Sequence, residues 1–366
     1  MAAITVTSNA DLDAVVAGGQ VHEDLMDKIW DISPEDLPFT DMISRGMSEN
    51  HYKEFVEEQL EAANADNASI DGEDPEGDDS QLGQRKGNYH QTSVKRVVVS
   101  DRARNVNSVG AADELVKQVT KRQRALRRDV EARLTSNKAA VIGNDTDTAS
   151  QCAGIGSWIG TSGDATVVSN TFRGATTGAD PALSGTTGGY PDTAPVAGDL
   201  RAMTETLLKS AIRAAYKNGG NLKYAMSMPE LIEQISDYMF TSSARVATMM
   251  SEAPQSNRQG VAGGNGSAGG GVTAQGAVNM YVSNFGTVIL TPNRFQPESS
   301  TGGADLFLID PDLWELSFLQ GYRIKTLGDT GLSTKRLISV DYTLCGLAER
   351  GNACVADIDY TLAMTA

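Results

Sequence analysis

Along residues 113–142, DELVKQVTKRQRALRRDVEARLTSNKAAVI, the apolar positions Leu115, Val119, Leu126, Val130, Leu134 and Val141 recur at helical spacing. At 100° per residue they occupy a sector about 100° wide, the width of one buried stripe. Lys117, Lys121, Arg124 and Arg128 project from the opposite side. Asp113 and Glu114 at the start and Lys138 near the end suit the helix macrodipole, and Gly143 with Asn144 supplies a stop. The pattern predicts one helix over 113–142, a rod of roughly 45 Å that serves as a structural spine.

Elsewhere the period changes. Residues 23–46 place Leu25, Ile29 and Trp30 at helical spacing with Pro34 and Pro38 as breaks, which predicts two short helices around a turn. In 50–60, NHYKEFVEEQL, neither period is clean, so strand and helix both stay open. Residues 89–107 alternate β-branched and polar positions and predict a long strand. Residues 143–196, rich in Gly, Ser and Thr, read as loops and small strands. A second helix is expected over 198–217, closed by Asn218-Gly219-Gly220, and a third starts at Pro229. LKYAMSM between them is a buried strand, and 260–271 a flexible loop tip. Alternation on both sides of Asn284-Phe285-Gly286 predicts a hairpin, and strands also fit DLFLID, LWELSFL, TKRLISVDYTLCG and NACVADIDYTL. The class is α+β, with helices and antiparallel strands segregated and no internal repeat.

A chain of 366 residues has room for two to three domain-sized units, and 37 glycines with 6% aromatics lean toward long loops. A net charge of −16 argues against a general nucleic-acid binder, though local basic stripes remain open. The charge is unevenly placed. Six carboxylates, Asp71, Glu73, Asp74, Glu76, Asp78 and Asp79, occupy nine consecutive positions. Residues 49–79 carry twelve acids against the single base Lys53, whereas 113–142 carry eight bases against four acids. Cys152, Cys345 and Cys354 form no CxxC pair, which points to a reducing compartment. The start, MAAITVTSNADLDAVVAGG, lacks the cationic and apolar regions of a secretory signal, and no apolar run reaches membrane length, so a soluble protein is expected.

Enzyme chemistry finds little support. His22, His51 and His90 lie far apart, none with a carboxylate or cysteine at ligand spacing. Ser157 in GIGSWIG does not complete GxSxG and no histidine follows it; Ile159 spoils GxGxxG, and 260–271 lacks the GK[ST] of a phosphate cradle. Counted from Asp71, Pro75 and Glu76 stand where a calcium loop wants an acid or amide and a glycine, leaving weak divalent bridging and plain solvation as alternatives. No cofactor or metal site is expected.

The segments DLMDKIWDISPEDLPFTDMI, NYHQTSVKRVVVS, ELVKQVTKRQRALRRDVEARL, YVSNFGTVILTPNR and LFLIDPDLWEL, in this order, resemble one family. It is the major capsid (head) proteins of tailed bacteriophages, in the subgroup similar to the major head protein of enterobacterial phage SU-10. The resemblance implies the HK-97-like phage capsid fold: an N-terminal arm (1–50), an extended E-loop (51–93), a peripheral domain (94–197) with its spine helix (113–142), an axial domain (198–310) and returning C-terminal strands (311–366). It implies a structural protein, not an enzyme, that self-assembles as pentamers and hexamers into the icosahedral shell around double-stranded DNA. Portal and possible decoration or scaffolding proteins would be further partners, with no membrane. The protein would be made in the bacterial host cytoplasm and reside in the virion. In such a shell the acidic E-loop is an assembly element that approaches basic surface on the next subunit, fixing register more than adding affinity. The stripe Lys117, Lys121, Arg124 and Arg128 has two readings, weak contact with packaged DNA or pairing with a neighbour's carboxylates. No covalent cross-link between subunits is expected. An encapsulin-like compartment shell is the nearest alternative, and a secreted calcium-dependent adhesion module a more distant one.

Overall fold

The computed structural model describes residues 26, 28–60, 63–66, 68–72, 83–106, 113–144, 146–161, 168–174, 178–185, 188–241, 279–298, 303–328 and 331–365. Its elements run α1 (Pro38–Met42), β1 (Ser44–Met47), β2 (Tyr52–Glu57), β3 (Gln84–Tyr89), β4 (Gln91–Ser100), α2 (Asp101–Asn105) and α3 (Glu114–Leu134). Then come α4 (Ile155–Trp158), β5 (Thr171–Phe172), β6 (Ala182–Leu183), β7 (Pro191–Thr193), α5 (Glu205–Lys217), β8 (Tyr224–Ser227) and α6 (Pro229–Thr241). The chain finishes with β9 (Met280–Ser283), β10 (Gly286–Pro292), β11 (Ala304–Ile309), β12 (Trp314–Thr326), β13 (Ser333–Gly346) and β14 (Ala353–Ile358).

The spine, α3, is 21 residues long and so roughly 32 Å. Asp113 caps it by accepting from Leu115 N at 2.9 Å. It stops at Leu134 rather than at 142. Thr135 Oγ1 donates to Glu131 O at 3.0 Å and Ser136 Oγ to Arg133 O at 2.7 Å, so polar side chains satisfy the last carbonyls. Val141, counted above in the helical stripe, instead pairs with Gln151 in a β-bridge. Leu115, Leu126, Val130 and Leu134 are buried as the stripe requires, with Val119 packed at the edge.

The N-terminal arm also departs from expectation. Residues 28–37 form no helix or strand and α1 is the arm's helix among the described residues; Leu25 lies outside them. Pro34 and Pro38 each remove a donor and push the preceding residue toward extended backbone. Ile29, Trp30 and Ile32 do not find a core to pay for helix formation, Trp30 being 72% and Ile32 98% exposed. Residues 50–60 resolve as strand β2, and 260–271 lie outside the described residues.

Two main sheets organise the body. One has the order β1-β12-β13-β4, the other β5-β14-β11-β8-β10-β9. Neither is purely antiparallel, because β1 with β12, β8 with β10, and β14 with β5 run parallel. Between β8 and β10 the chain passes through α6, a crossover that returns it in the same direction. The Asn284-Phe285 turn joins β9 to β10 as predicted, with Gly286 at φ +143°.

The central strands β11 and β14 of the six-stranded sheet are buried on both faces. Leu306, Leu308, Ala353 and Val355 meet α5 and α6, while Phe307, Ile309, Cys354 and Ala356 meet the core beneath α3. That is why DLFLI and ACVA read as continuous apolar runs. In the four-stranded sheet Val97, Val99, Ile338, Val340, Tyr342 and Leu344 turn inward onto the α3 side; of the other face, the end with Ser317, Thr343 and Cys345 is buried and the end with Val94, Arg96, Val98, Arg323 and Lys325 is exposed.

Candidate assembly surfaces

Strands β2 and β3 pair from Tyr52↔Tyr89 to Glu57↔Gln84 and form the stem of the acidic loop. Asp71 is exposed in a turn whose Gly72 has φ +84°. Glu73, Asp74, Glu76, Asp78 and Asp79 lie outside the described residues. Near the tip the stem offers apolar side chains to solvent, Val56, Ile70 and the 92% exposed Leu60.

The stem is locked to the body by rings and by charge. Tyr89 packs against Tyr52 with ring centroids 4.6 Å apart and against Tyr190 at 5.0 Å, and Phe55 lies 5.8 Å from Trp158. Burial pushes the Tyr52 phenol up to about 12. Lys53 Nζ reaches Glu315 Oε1 at 2.5 Å and Ser317 Oγ at 2.7 Å on β12. Burial tends to raise the Glu315 carboxyl, but Lys53 and Ser317 outweigh it and hold it below the usual range.

Farther along, Lys86 Nζ sits 2.5 Å from Glu57 Oε2, both side chains almost wholly buried. Arg350 Nε donates to Glu57 Oε1 at 2.7 Å, and Arg350 also donates to Gln59. Glu349, fully buried, accepts from Gly160 N at 3.2 Å and Asn170 Nδ2 at 3.1 Å through one oxygen. Its pKa is raised by burial, against the pull of nearby Lys86. Two carboxylates and two cations thus neutralise one another where the loop leaves the body, and Gly87 N donates to Gly189 O at 2.9 Å beside them. A Cβ at Gly87 would stand 2.6 Å from Lys53 O, so only glycine allows that approach.

The basic stripe of α3 meets carboxylates of its own chain. Lys117 pairs with Glu114 at 3.3 Å, Lys121 with Asp31 at 3.7 Å and Arg124 with Glu35 at 2.6 Å. Asp31 and Glu35 belong to the arm, which lies across the spine. Arg128 lines the cavity of about 370 Å³ left between arm and spine. The acidic E-loop residues and the stripe are not brought together among the described residues.

Sequence reasoning missed the residue that anchors the arm. Glu131 accepts from Phe39 N at 2.8 Å, Thr40 N at 2.9 Å, Thr40 Oγ1 and Asn293 Nδ2 at 2.8 Å. One spine carboxylate therefore joins the first turn of α1, α3 and the end of β10; burial raises its pKa against those four hydrogen bonds. It escaped notice because no residue of the last turn of α3 is exposed, which a one-stripe reading does not show.

Catalytic candidates remain unsupported. Ser157 is buried and donates to Asn137 O at 2.9 Å. His90 is buried with Nδ1 3.4 Å from Asp341, His51 is exposed beside Tyr89, and His22 lies outside the described residues. Among the described residues no cluster of His, Cys, Asp and Glu is arranged to hold a metal, and no helix is long and apolar enough to cross a membrane.

No curated protein matches the chain. Among solved structures, the capsid of the cyanophage P-SCSP1u aligns over 93% of this chain and 93% of its own at 11% identity and TM-score 0.52. A chain from Mycobacterium phage Bobi aligns over 97% and 99% at 8% identity and TM-score 0.53. The holo-SrpI encapsulin complex from Synechococcus elongatus aligns over 91% and 94% at 11% identity and a TM-score of 0.47. At these identities the likeness is one of fold, the HK-97-like capsid fold. The family model described as SU10 major capsid protein matches residues 4–359. The chain therefore belongs to the SU10 major capsid protein family and is a shell-forming subunit of a bacteriophage capsid.

Proposed function

We propose that the chain closes its shell by extending the acidic E-loop of each subunit across a neighbouring copy. The domain layout that supports this reading is an arm (1–50), E-loop (51–93), peripheral domain (94–197), axial domain (198–310) and returning strands (311–366). The observation that carries it is the buried Glu57–Lys86–Arg350 network, which fixes the stem of the loop while Val56, Leu60 and Ile70 stay exposed. A fixed stem that exposes Val56 and Leu60 offers apolar surface that a neighbouring subunit can cover. Exposed charge pairs contribute only about 0 to 1 kcal/mol each, so burial of loop and arm against neighbours supplies cohesion and the acids supply register.

Pentamers and hexamers of this subunit form the icosahedral shell, with a portal and any decoration or scaffolding proteins as further partners. The family places the protein in the virion, and synthesis occurs in the host cytoplasm. Contact with packaged double-stranded DNA is weak and non-specific, because the arm carboxylates already offset Lys121 and Arg124. The role is structural, with no enzyme activity. Deleting residues 66–82 tests the reading. Folded, soluble subunits that fail to close into shells are expected, and normal particles from that deletion overturn it.

A further inference from the structure

On α3 the positions Lys121, Arg122, Ala125 and Arg128 follow helical spacing and share one face, with Arg124 at its edge. The arm crosses this face, and the two enclose a cleft of about 370 Å³ lined by these four cations and by Asp31 and Glu35. Ala125 forms its floor, since a short side chain there leaves the space that its longer neighbours rim. Lys121 pairs with Asp31 at 3.7 Å and Arg124 with Glu35 at 2.6 Å, whereas Arg122 and Arg128 have no carboxylate partner among the described residues. Four cations thus face two carboxylates, and the cleft stays positive in a chain whose net charge is −16.

What holds the arm over this cleft is weak. Residues 28–37 form no helix or strand, Ile32 is almost fully exposed, and every partner in the two ion pairs is about half exposed to water. Pairs of this kind contribute little and weaken with salt. Firm attachment begins only at α1, where Glu131 holds the amides of Phe39 and Thr40. The segment before Pro38 is therefore a strap that can leave the spine without disturbing α1 or the core beneath it.

We propose that this cleft is a phosphodiester site for packaged duplex DNA, and that Asp31 and Glu35 of the arm fill it as stand-ins for phosphate until DNA displaces them. This rests on the reading that the subunit touches packaged DNA weakly, and it names what regulates that contact. A guanidinium fork matches phosphate oxygens as well as a carboxylate, so Arg124 serves either partner. Lys121 and Arg128 stand two helical turns apart, about 10 Å along the axis, a length over which one DNA strand presents about three phosphates. An evenly spaced row of cations suits an evenly charged strand. A dilute subunit keeps its strap closed and ignores stray nucleic acid during assembly. In a filled head phosphate is concentrated, and mass action exchanges the strap for DNA.

The experiment compares the full, unassembled chain with three variants: Asp31→Asn with Glu35→Gln; Arg122→Gln with Arg128→Gln; and Asp192→Asn with Glu298→Gln, a charge-matched control at exposed carboxylates that do not line the cleft. Binding to a short fluorescent DNA duplex is followed by anisotropy across a salt series, with urea melts as the folding control. The strap variant is expected to bind at least about tenfold more tightly than wild type and control at low salt. Its plot of log affinity against log salt should steepen by about 1.8, the slope of two added phosphate contacts. The arginine variant is expected to bind more weakly than wild type. Equal affinity and slope for strap variant and control, with the arginine variant still weaker, overturn the strap and leave the DNA contact standing. An arginine variant that loses nothing overturns the cleft as the DNA site, and absence of binding in every form overturns contact and strap together. A strap variant that prefers an acidic peptide of equal charge to the duplex marks a protein-binding groove and also overturns the proposal. Independently of any substitution, carbodiimide coupling of Lys121 to Asp31 in the native chain, read by mass spectrometry, should fall as duplex is added. A yield that bound duplex leaves unchanged overturns the displacement.

Discussion

Lys86→Met removes one cation from the network that fixes the E-loop stem. Lys86 and Glu57 expose only 2% and 4% of their side chains, so water does not screen the loss. Arg350 still compensates Glu57, but Glu349, which had Lys86 nearby, then holds an uncompensated buried charge. Breaking a buried pair on one side costs about 3 to 5 kcal/mol. Glu349→Gln should relieve most of it. One Glu349 oxygen accepts from both Gly160 N and Asn170 Nδ2, and the other, buried, accepts from nothing among the described residues. A glutamine keeps both hydrogen bonds and turns its amide nitrogen into the empty position. The single Glu349→Gln variant should therefore lose no hydrogen bond, and the pair should show a coupling energy of about 2 to 3 kcal/mol. Urea denaturation of unassembled subunits, followed by fluorescence of the buried Trp158 and Trp314, measures all four corners of the cycle. Additivity within about 0.5 kcal/mol refutes the argument that these charges form one network.

Glu349 also sets a pH dependence. Its folded pKa is raised by burial, so its stabilising contribution is complete below the unfolded value of about 4.3 and is lost as pH rises through the folded pKa. Glu349→Gln should match the wild type in acid and become relatively more stable toward neutral pH in melting curves; parallel curves count against it. Glu131→Ala strands the buried amides of Phe39 and Thr40 and the Asn293 side chain, at about 1 to 3 kcal/mol for each unsatisfied group. Hydrogen exchange at 39–40 should accelerate, and unchanged protection contradicts the anchor. Gly154→Ala puts a Cβ 2.2 Å from Ser136 O and 2.8 Å from Arg133 O, backbone that cannot step aside. A loss of about 1 to 3 kcal/mol in urea melts is expected, and unchanged stability contradicts the close approach.

What the sequence revealed follows from which contacts are local. Leu115, Leu126, Val130 and Leu134 announce the spine because one helix face carries the signal, and the Asn284-Phe285-Gly286 turn announces its hairpin for the same reason. Val141 misled because its position continued the helical period while Thr135 and Ser136 had already satisfied the last carbonyls. Ile29 and Trp30 misled in another way, since helical spacing without a surface to bury against does not make a helix. The stem network was illegible: Glu57, Lys86 and Arg350 are far apart in the chain and look like ordinary surface charges until the fold buries them. The charge of the loop was plain in sequence, whereas the cations of the open sheet face are scattered over 96–335 and meet only through strand register.

The most direct measurement is a high-resolution electron microscopy map of the assembled head. The account predicts that residues 58–83 of each subunit lie on a different subunit. A map in which that loop folds back on its own subunit, or ends in solvent without touching another copy, contradicts it.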